Sequence, residues 1–523
     1  MMVHSIFNDV LGPIMCGPSS SHSAGCARIG LESRLLFGRE INKANIIFDE
    51  SGSYPETYIG QGSNFGFTGG LLGFKTDNAQ VKDAVEIAKS MGKNIWFSKQ
   101  KLSSRHPNEA LINVYNENDE IELSVLTFST GGGMFEIVEL NGFPVFIDGT
   151  QEQIFICCSL ANATHLVDVL NKLDVSIKKS MKNDSVLYAV SGFDRETKEK
   201  ILAFDKQPDV LWVKYAPAIM PVEMKKKPTV LFSNAEGALS YAKATGKSMW
   251  EIALDYEVSI GKTTEEEIWQ LAEHTYDVMK QSTIAPDPAS TPVYGFLPYK
   301  AQEMKQAIKS TNSIPSGVLN DTALAAISVM ENSCAHNIVV AAPTAGSSGV
   351  IPASIIIIGE SLNLPREDII KGLLVSGLIG SFISNNASFG AEVAACQAEN
   401  GSASAMAAGG IVQLLGGNIE QAFQAASMAM QNMLGLICDP VGGLTEIPCI
   451  SRNVSSVSNA ALSANMVMWG FNPIIPLDET IHSMYDIGQK MPATLRCTCQ
   501  GGLCITKTGQ RITQDLLIKR EKL

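Results

Sequence analysis

The period of the apolar positions changes twice along the chain, and each change predicts a domain. Over residues 1–150 two periods coexist: 26–37 gathers apolar residues on one side of a helix, whereas 109–114 and 121–127 alternate or run apolar as strands do. An α/β domain is expected there. Residues 153–159, 163–173, 175–181, 185–191, 195–204 and 210–215 then read as strand, helix, strand, strand, helix, strand, the βαββαβ order of a ferredoxin-like module. That module is expected over 151–222. A charged, proline-containing linker of Lys225, Lys226, Lys227 and Pro228 closes it. Beyond Asn234 helical spacing dominates, in 236–245, 264–281, 323–331, 369–384 and 419–433, with Gly, Pro and Ser between the runs. A mostly α-helical domain is expected over 229–512, so the fold class is α+β and multidomain.

A chain of 523 residues exceeds what one hydrophobic core serves. Its 45% hydrophobic and 18% charged residues suit packed cores rather than disorder. The net charge of −13, with no long Lys/Arg-rich run, removes the electrostatic footprint of a nucleic acid or an anionic membrane as partner. Pro343, Pro352 and several glycines break the most apolar tract, 337–359, which suits buried helices and a polar loop rather than a membrane span. The N-terminus shows no basic segment followed by an apolar stretch, so a cytoplasmic protein is expected.

Eleven cysteines in a reducing compartment are not expected to pair, and six of them fall at or after Cys396. Thiolates are soft ligands suited to iron–sulfur clusters or zinc. Cys396 ends the segment Gly-Ala-Glu-Val-Ala-Ala-Cys at 390–396, and Cys438 and Cys449 bracket a Gly/Pro-rich loop able to aim both sulfurs inward. The spacing is not that of a zinc finger, and by itself it leaves buried, unreactive thiols open as a reading. Three polar loops, 17–23, 60–64 and 129–133, are further candidates. Ser19, Ser20 and Ser21 precede an expected helix, so they either cradle a carboxylate or simply cap the helix. Ser129, Thr130 and Gly131 open a glycine loop that offers main-chain donors or marks a tight turn. His22 and His106 are the ionisable groups nearest these loops. His336, beside Cys334 in an apolar helix, reads as a core histidine.

Several motifs in order resemble one family. Pro-Thr-Ala-Gly-Ser-Ser-Gly-Val-Ile-Pro at 343–352, Asn-Ala-Ser-Phe-Gly-Ala-Glu-Val at 386–393, Cys-Asp-Pro-Val-Gly-Gly at 438–443 and Pro-Cys-Ile-Ser-Arg-Asn at 448–453 are similar to the α-domain of iron–sulfur L-serine dehydratases. Gly-Pro-Ser-Ser-Ser-His-Ser at 17–23, His-Pro-Asn at 106–108 and Ser-Thr-Gly-Gly-Gly-Met at 129–134 resemble its β-domain. The resemblance implies a fused form, with a β-like domain over 1–150 and a helical α-like catalytic domain over 229–512; the ferredoxin-like module of 151–222 between them is expected to be an ACT-like regulatory unit, with a structural spacer or dimerisation surface as the other reading. It further implies a 4Fe-4S cluster on Cys396, Cys438 and Cys449, with an uncommitted iron as Lewis acid. Substrate would be bound by Ser19, Ser20, Ser21, Ser129, Thr130, Gly131, Thr344, Asn386 and Ser388. The expected reaction is loss of water from L-serine to give pyruvate and ammonia, by a cytoplasmic, oxygen-sensitive homodimer with a small amino acid or hydroxy acid as its partner. Such an elimination needs an electrophile for the hydroxyl and a base for the weakly acidic α-proton.

Two positions depart from the family. Its usual Gly-His-Gly-Thr-Asp-like segment reads Gly-Gln-Gly-Ser-Asn at 60–64, so Gln61 and Asn64 stand where a histidine and an aspartate are expected. Gln and Asn hydrogen-bond but cannot take a proton at neutral pH. In the tail, Cys497, Cys499 and Cys504 are each candidates for a fourth cluster ligand or a redox cap. Other readings stay open: the same chemistry on another small hydroxy or thiol acid, a pyridoxal-phosphate dehydratase, or a non-catalytic cluster or metabolite sensor.

Overall fold

The computed structural model describes residues 3–290, 295–310 and 313–520. The chain is α+β and divides into two compact units, residues 21–227 and residues 1–20 with 228–523. Residues 3–20, expected with the α/β domain, thus belong to the helical unit.

In the first strand pair of the helical unit, β1 (Ile14–Cys16) runs antiparallel to a distant strand of the same unit, Ile338–Val340. This pairing brings the segment after Cys16 to the loop beginning at Pro343. Gly17 makes the approach possible, since a Cβ there would stand 2.1 Å from the Ser333 carbonyl oxygen. Upstream, Glu257 accepts from the Ser5 hydroxyl and from Ile6 N–H at 2.9 Å, which fixes the chain end against the helix Met249–Ile260.

Residues 21–227 carry two sheets. The six-stranded sheet uses β2 (Lys43–Asp49), β3 (Asn94–Gln100), β4 (Glu109–Tyr115), β5 (Ile121–Gly131), β6 (Met134–Leu140) and β7 (Phe143–Ile147) in the order β3-β2-β4-β5-β6-β7. The four-stranded sheet uses β8 (Gln153–Ser159), β9 (Ser176–Lys182), β10 (Ser185–Ser191) and β11 (Val210–Ala216) in the order β11-β8-β10-β9, all antiparallel. Strand period shows in where side chains go: Ile154, Ile156 and Cys158 of β8 enter one core, whereas Phe155 and Cys157 enter the other. The sequence reading of this stretch is met to within a residue for every strand, and its two helices close early, at Leu170 and Leu202. Beside the larger sheet, the helices Gly25–Phe37 and Ser63–Leu72 cross at backbone distance. A Cβ on Gly70 would lie 2.1 Å from the Ala27 carbonyl oxygen, and one on Gly30 2.5 Å from that of Phe67.

The helical unit is built around the buried helices Arg366–Asn386, Ser402–Leu414, Ile419–Gln431 and Cys449–Met468. Small residues let them close: Gly409 faces Ile379, and Gly410 faces Ser376. The strand β12 is Ile338–Val340, and the apolar tract after it forms one short turn, Ala345–Ser347, and then a continuous, largely buried helix made of Pro352–Ile357 and Ile358–Ser361. Among the described residues no helix is long and apolar enough to cross a membrane. Two sequence readings are corrected. His336 is not helical: it follows the helix Val318–Cys334 at a φ of 57°. Ser129, Thr130 and Gly131 are not a free loop but the end of β5, and Gly132 and Gly133 turn the chain into β6.

Candidate functional site

In the helical unit three different local devices place three buried thiols, and Cys438 and Cys449 both lie within electrostatic range of Cys396. Cys396 ends a short helix, Ala391–Cys396, whose path is broken at Ala394 and Ala395; Ala395 holds a φ of 61°. A residue with a Cβ in that region is held there by its surroundings. Asn400 Nδ2 donates to Cys396 Sγ at 3.1 Å, and the Ser456 hydroxyl donates to Asn400 Oδ1 at 3.2 Å. Cys438 forms an isolated bridge with Arg496, its N–H donating to Leu495 O at 2.9 Å and its O accepting from Cys497 N–H at 3.1 Å. Cys449 is the first residue of Cys449–Met468, where Pro448 ends the preceding loop.

Burial penalises charge on each sulfur. The Cys396 thiol is pushed up to about 12 by desolvation, with the Glu399 carboxylate adding to it. Cys438 is raised by its hydrogen bond with Cys497 and by burial, and Cys449 by burial and the neighbouring Cys396. Arg452, whose Nη2 donates to Asp439 Oδ1 at 2.8 Å and whose Nη1 donates to Ile437 O at 3.0 Å, is the cation beside them. Among the described residues no three His, Cys, Asp or Glu side chains stand close enough to hold a metal ion. A polynuclear cluster, with sulfide filling its interior, takes thiolates from a wider shell than a single ion does. Three buried thiols that become thiolates only beside added positive charge fit such a group.

The loop at 343–349 lies over this set. Thr344 Oγ1 donates to Glu399 Oε1 at 2.9 Å, and desolvation raises the Glu399 carboxyl to about 7. Ala345 N–H donates to Ser20 Oγ at 3.4 Å. Asn453 Nδ2 donates to Gly346 O at 2.8 Å and Cys449 O at 2.9 Å, while its Oδ1 accepts from Gly349 N–H at 3.0 Å. Ser20, Thr344, Glu399, Cys449 and Asn453 are thereby one connected group. Asn386 and Ser388 serve the backbone: Asn386 Nδ2 donates to Ser233 O and Phe382 O, and Ser388 Oγ accepts from Gly390 N–H. The tail cysteines separate. Cys497 meets Cys438, whereas Cys499 and Cys504 donate to Pro440 O at 3.4 and 3.2 Å.

Residues 21–227 hold a second polar network. His22 Nδ1 lies 3.1 Å from Ser21 Oγ and Nε2 lies 3.2 Å from Ser53 Oγ. Ser53 donates its one proton to Asn108 Oδ1, and Asn108 Nδ2 donates to Ser129 O at 3.3 Å, which fixes the amide's orientation. His22 Nε2 is therefore the donor toward Ser53, and the Nδ1 lone pair faces the Ser21 hydroxyl. Burial lowers the His22 imidazole to about 4, so it is neutral at pH 7. His106 Nδ1 accepts from Asn108 N–H at 3.0 Å, which leaves the proton of its neutral ring on Nε2; the ring stacks on Phe128. Gln61 lies in the turn before Ser63–Leu72 and its carbonyl accepts from Ser23 Oγ at 2.8 Å. Asn64 Oδ1 is buried with no partner among the described residues. Ser129 Oγ donates to Ser21 O at 2.7 Å.

Sequence reasoning did not single out Ser53, Asn108, Glu399, Asn400, Asp439, Arg452 or Asn453. Asn108, Asp439, Arg452 and Asn453 lie inside motifs it quoted; Ser53 and Glu399 carry no local signal.

Comparison with known proteins defines the class. The family model of the serine dehydratase alpha chain matches residues 244–504. The probable L-serine dehydratase alpha chain of Bacillus subtilis is 37% identical over 286 residues, covering 55% of this chain and 95% of that one. The L-serine dehydratase alpha chain of Peptoniphilus asaccharolyticus is 38% identical over 288 residues, covering 55% and 99%. The probable L-serine dehydratase beta chain of B. subtilis is 40% identical over 179 residues, covering 34% and 79%. The protein is a lyase. It belongs to the L-serine dehydratase family, in the form that joins alpha- and beta-type parts in one polypeptide.

Proposed function

We propose that this lyase removes water from L-serine, giving aminoacrylate, which hydrolyses to pyruvate and ammonia, and that Cys396, Cys438 and Cys449 hold a 4Fe-4S cluster for the purpose. When bound, the cluster would supply a Lewis acid for the substrate hydroxyl. The reading is supported by three buried thiols from three separate segments, two of which, Cys438 and Cys449, feel the charge of the third, Cys396, within the part that matches the alpha-chain family.

The chain's own residues would do the rest. Asn400 orients the Cys396 sulfur, and Arg452 offsets negative charge on Cys396 and Cys449. Ser19, Ser20 and Thr344 offer hydroxyls for the substrate carboxylate, and Glu399 holds a proton near neutral pH beside Thr344. In the other unit, neutral His22 can accept a proton at Nδ1 through Ser21, and Ser53 with Asn108 holds its ring. Neutral His106, with its proton on Nε2, donates rather than accepts there. Ser129, Thr130 and Gly131 border the same network at the end of β5. Gln61 and Asn64 act as hydrogen-bonding groups, as do Asn386 and Ser388 if substrate displaces their backbone partners. Cys497 is the tail thiol we assign as a fourth ligand or cap. We read 151–222 as an ACT-like regulatory module, 1–150 and 229–512 as the β- and α-like parts, and the enzyme as a cytoplasmic, oxygen-sensitive homodimer.

One observation favours a second substrate class. Gln61 and Asn64 do not titrate, and the buried Asn64 Oδ1 is an acceptor awaiting a donor, so another small hydroxy or thiol acid that brings an N–H or O–H to it is the alternative. Anaerobic purification with iron and sulfide counting, then ammonia release from a panel of β-substituted amino and hydroxy acids, tests both. Iron bound by the wild type and lost in C396S, C438S and C449S, with pyruvate formed from serine, is the expected result. Wild-type protein that never binds iron overturns the cluster, and iron-loaded protein that turns over another acid but not serine moves the substrate.

A further inference from the structure

We propose that Cys499 and Cys504 form an oxidation site, a dithiol that a hydroperoxide converts into a disulfide within the tail loop. The proposal depends on neither the cluster nor the serine assignment. Both sulfurs lie within hydrogen-bonding distance of the same acceptor, Pro440 O, Cys499 at 3.4 Å and Cys504 at 3.2 Å, and each thiol feels the charge state of the other. Two sulfurs gathered on one carbonyl oxygen and within interaction range of each other are neighbours, which is the precondition for a bond between them.

The loop is held in that shape from outside. Leu503 N–H donates to Asp439 Oδ2 at 2.8 Å. Gly502, at a φ of 59°, sits where a Cβ would lie 2.3 Å from the same carboxylate, so only glycine lets the chain pass. Cys499 itself holds a φ of 57° and Cys497 one of 58°, conformations a residue with a Cβ keeps only when its surroundings impose them. The result sorts the three tail thiols: Cys497 N–H donates to Cys438 O at 3.1 Å and its thiol meets that of Cys438, leaving Cys499 and Cys504 to each other.

Accessibility gives the pair a direction. Cys499 is exposed and Cys504 buried. Hydroperoxide reaches the Cys499 sulfur, which attacks the O–O bond. One oxygen leaves as an alcohol, or as water from hydrogen peroxide, and the other stays as sulfenic acid. The Cys504 sulfur then attacks Cys499, the S–S bond forms, the S–O bond breaks, and the hydroxyl leaves with the Cys504 proton as water. Two thiols lose two electrons and two protons, and one peroxide is reduced.

The full-length protein, purified anaerobically and reduced, is treated with equimolar hydrogen peroxide, alkylated and digested with trypsin. Arg496 and Lys507 bound a single peptide, 497–507, that contains all three tail cysteines. We expect that peptide to lose two hydrogens, with Cys497 alkylated and Cys499 joined to Cys504, and dithiothreitol to restore three alkylated cysteines. A disulfide that includes Cys497, sulfinic acid on Cys499 in the wild type, or three alkylated cysteines after peroxide overturns the proposal. In C504S, dimedone is expected to trap sulfenic acid on Cys499; in C499S, oxidation of Cys504 is expected to be lost. The wild-type map decides alone should either variant fail to fold. Because the readout is a peptide mass, it is independent of iron content and turnover.

Discussion

Asn453 ties the helix that begins at Cys449 to the loop over the thiols, and replacing it tests whether that loop is held by hydrogen bonds or by packing alone. The side chain is fully buried and makes three hydrogen bonds, to Gly346 O, Cys449 O and Gly349 N–H. In N453A the Cys449 carbonyl keeps its helical partner, but Gly346 O and Gly349 N–H lose theirs in a buried setting. At about 1–3 kcal/mol per orphaned buried group, the cost is about 3 kcal/mol. For a unit of this size roughly 2 °C accompany each kcal/mol, so the melting temperature should fall by about 6 °C. N453D sharpens the test. Its carboxylate still accepts from Gly349 N–H but turns an oxygen toward two carbonyl oxygens, so the loss should be at least as large as for alanine despite the matching shape. Differential scanning fluorimetry on the full chain reads both, with iron retention after desalting as a second measure. A melting temperature for N453A within about 1 °C of wild type, or an N453D protein as stable as wild type, would refute the assignment, since buried groups that find other partners cost little on mutation.

Three further outcomes follow from the packing and the buried charges. G70A places a methyl 2.1 Å from the Ala27 carbonyl oxygen, backbone against backbone, so the two helices must separate; a loss of about 1–3 kcal/mol is expected, read as faster limited proteolysis within residues 21–227. The Glu257 carboxyl, raised by burial to about 7, binds its proton more tightly folded than unfolded. Its unit should therefore lose stability as pH rises from about 4.5 to 7 and level off above, a slope that E257Q should reduce but not abolish, because burial raises Glu399 of the same unit to about 7 as well. The His22 imidazole, lowered by burial to about 4, works the other way: stability is present above about 6.5 and lost as pH falls toward 4, and H22Q should flatten that loss. Thermal unfolding of the full chain across pH 4–8, with limited proteolysis reporting on each unit, separates the two, and a slope that E257Q or H22Q leaves unchanged would contradict the corresponding assignment.

What could be read from the sequence follows from how far each structural cause reaches along the chain. The strands of 153–216 were legible because both faces of β8 are buried against cores of the same unit, giving a short apolar run bounded by turn residues. The stretch 323–331 captured only part of the helix Val318–Cys334, whose last turns carry Glu331, Asn332 and Ser333. These polar residues are buried because Asn332 Nδ2 serves Ser282 O and Ile284 O, and Glu331 accepts from Lys300 and Ala301 N–H. Polarity there marks partners thirty to fifty residues away, not a helix end. The same limit hides Glu399, which gains meaning only through Thr344, and Ser53, which gains it through His22. The tail shows the limit most sharply. Cys497, Cys499 and Cys504 are equivalent by spacing, and no local pattern ranks them. The bridge between Cys438 and Arg496 directs the first toward the buried thiols, while Asp439 clamps Leu503 and seats the other two on Pro440. A cysteine's chemistry in this chain is therefore set by the backbone segment it is laid against, and that segment lies some sixty residues upstream.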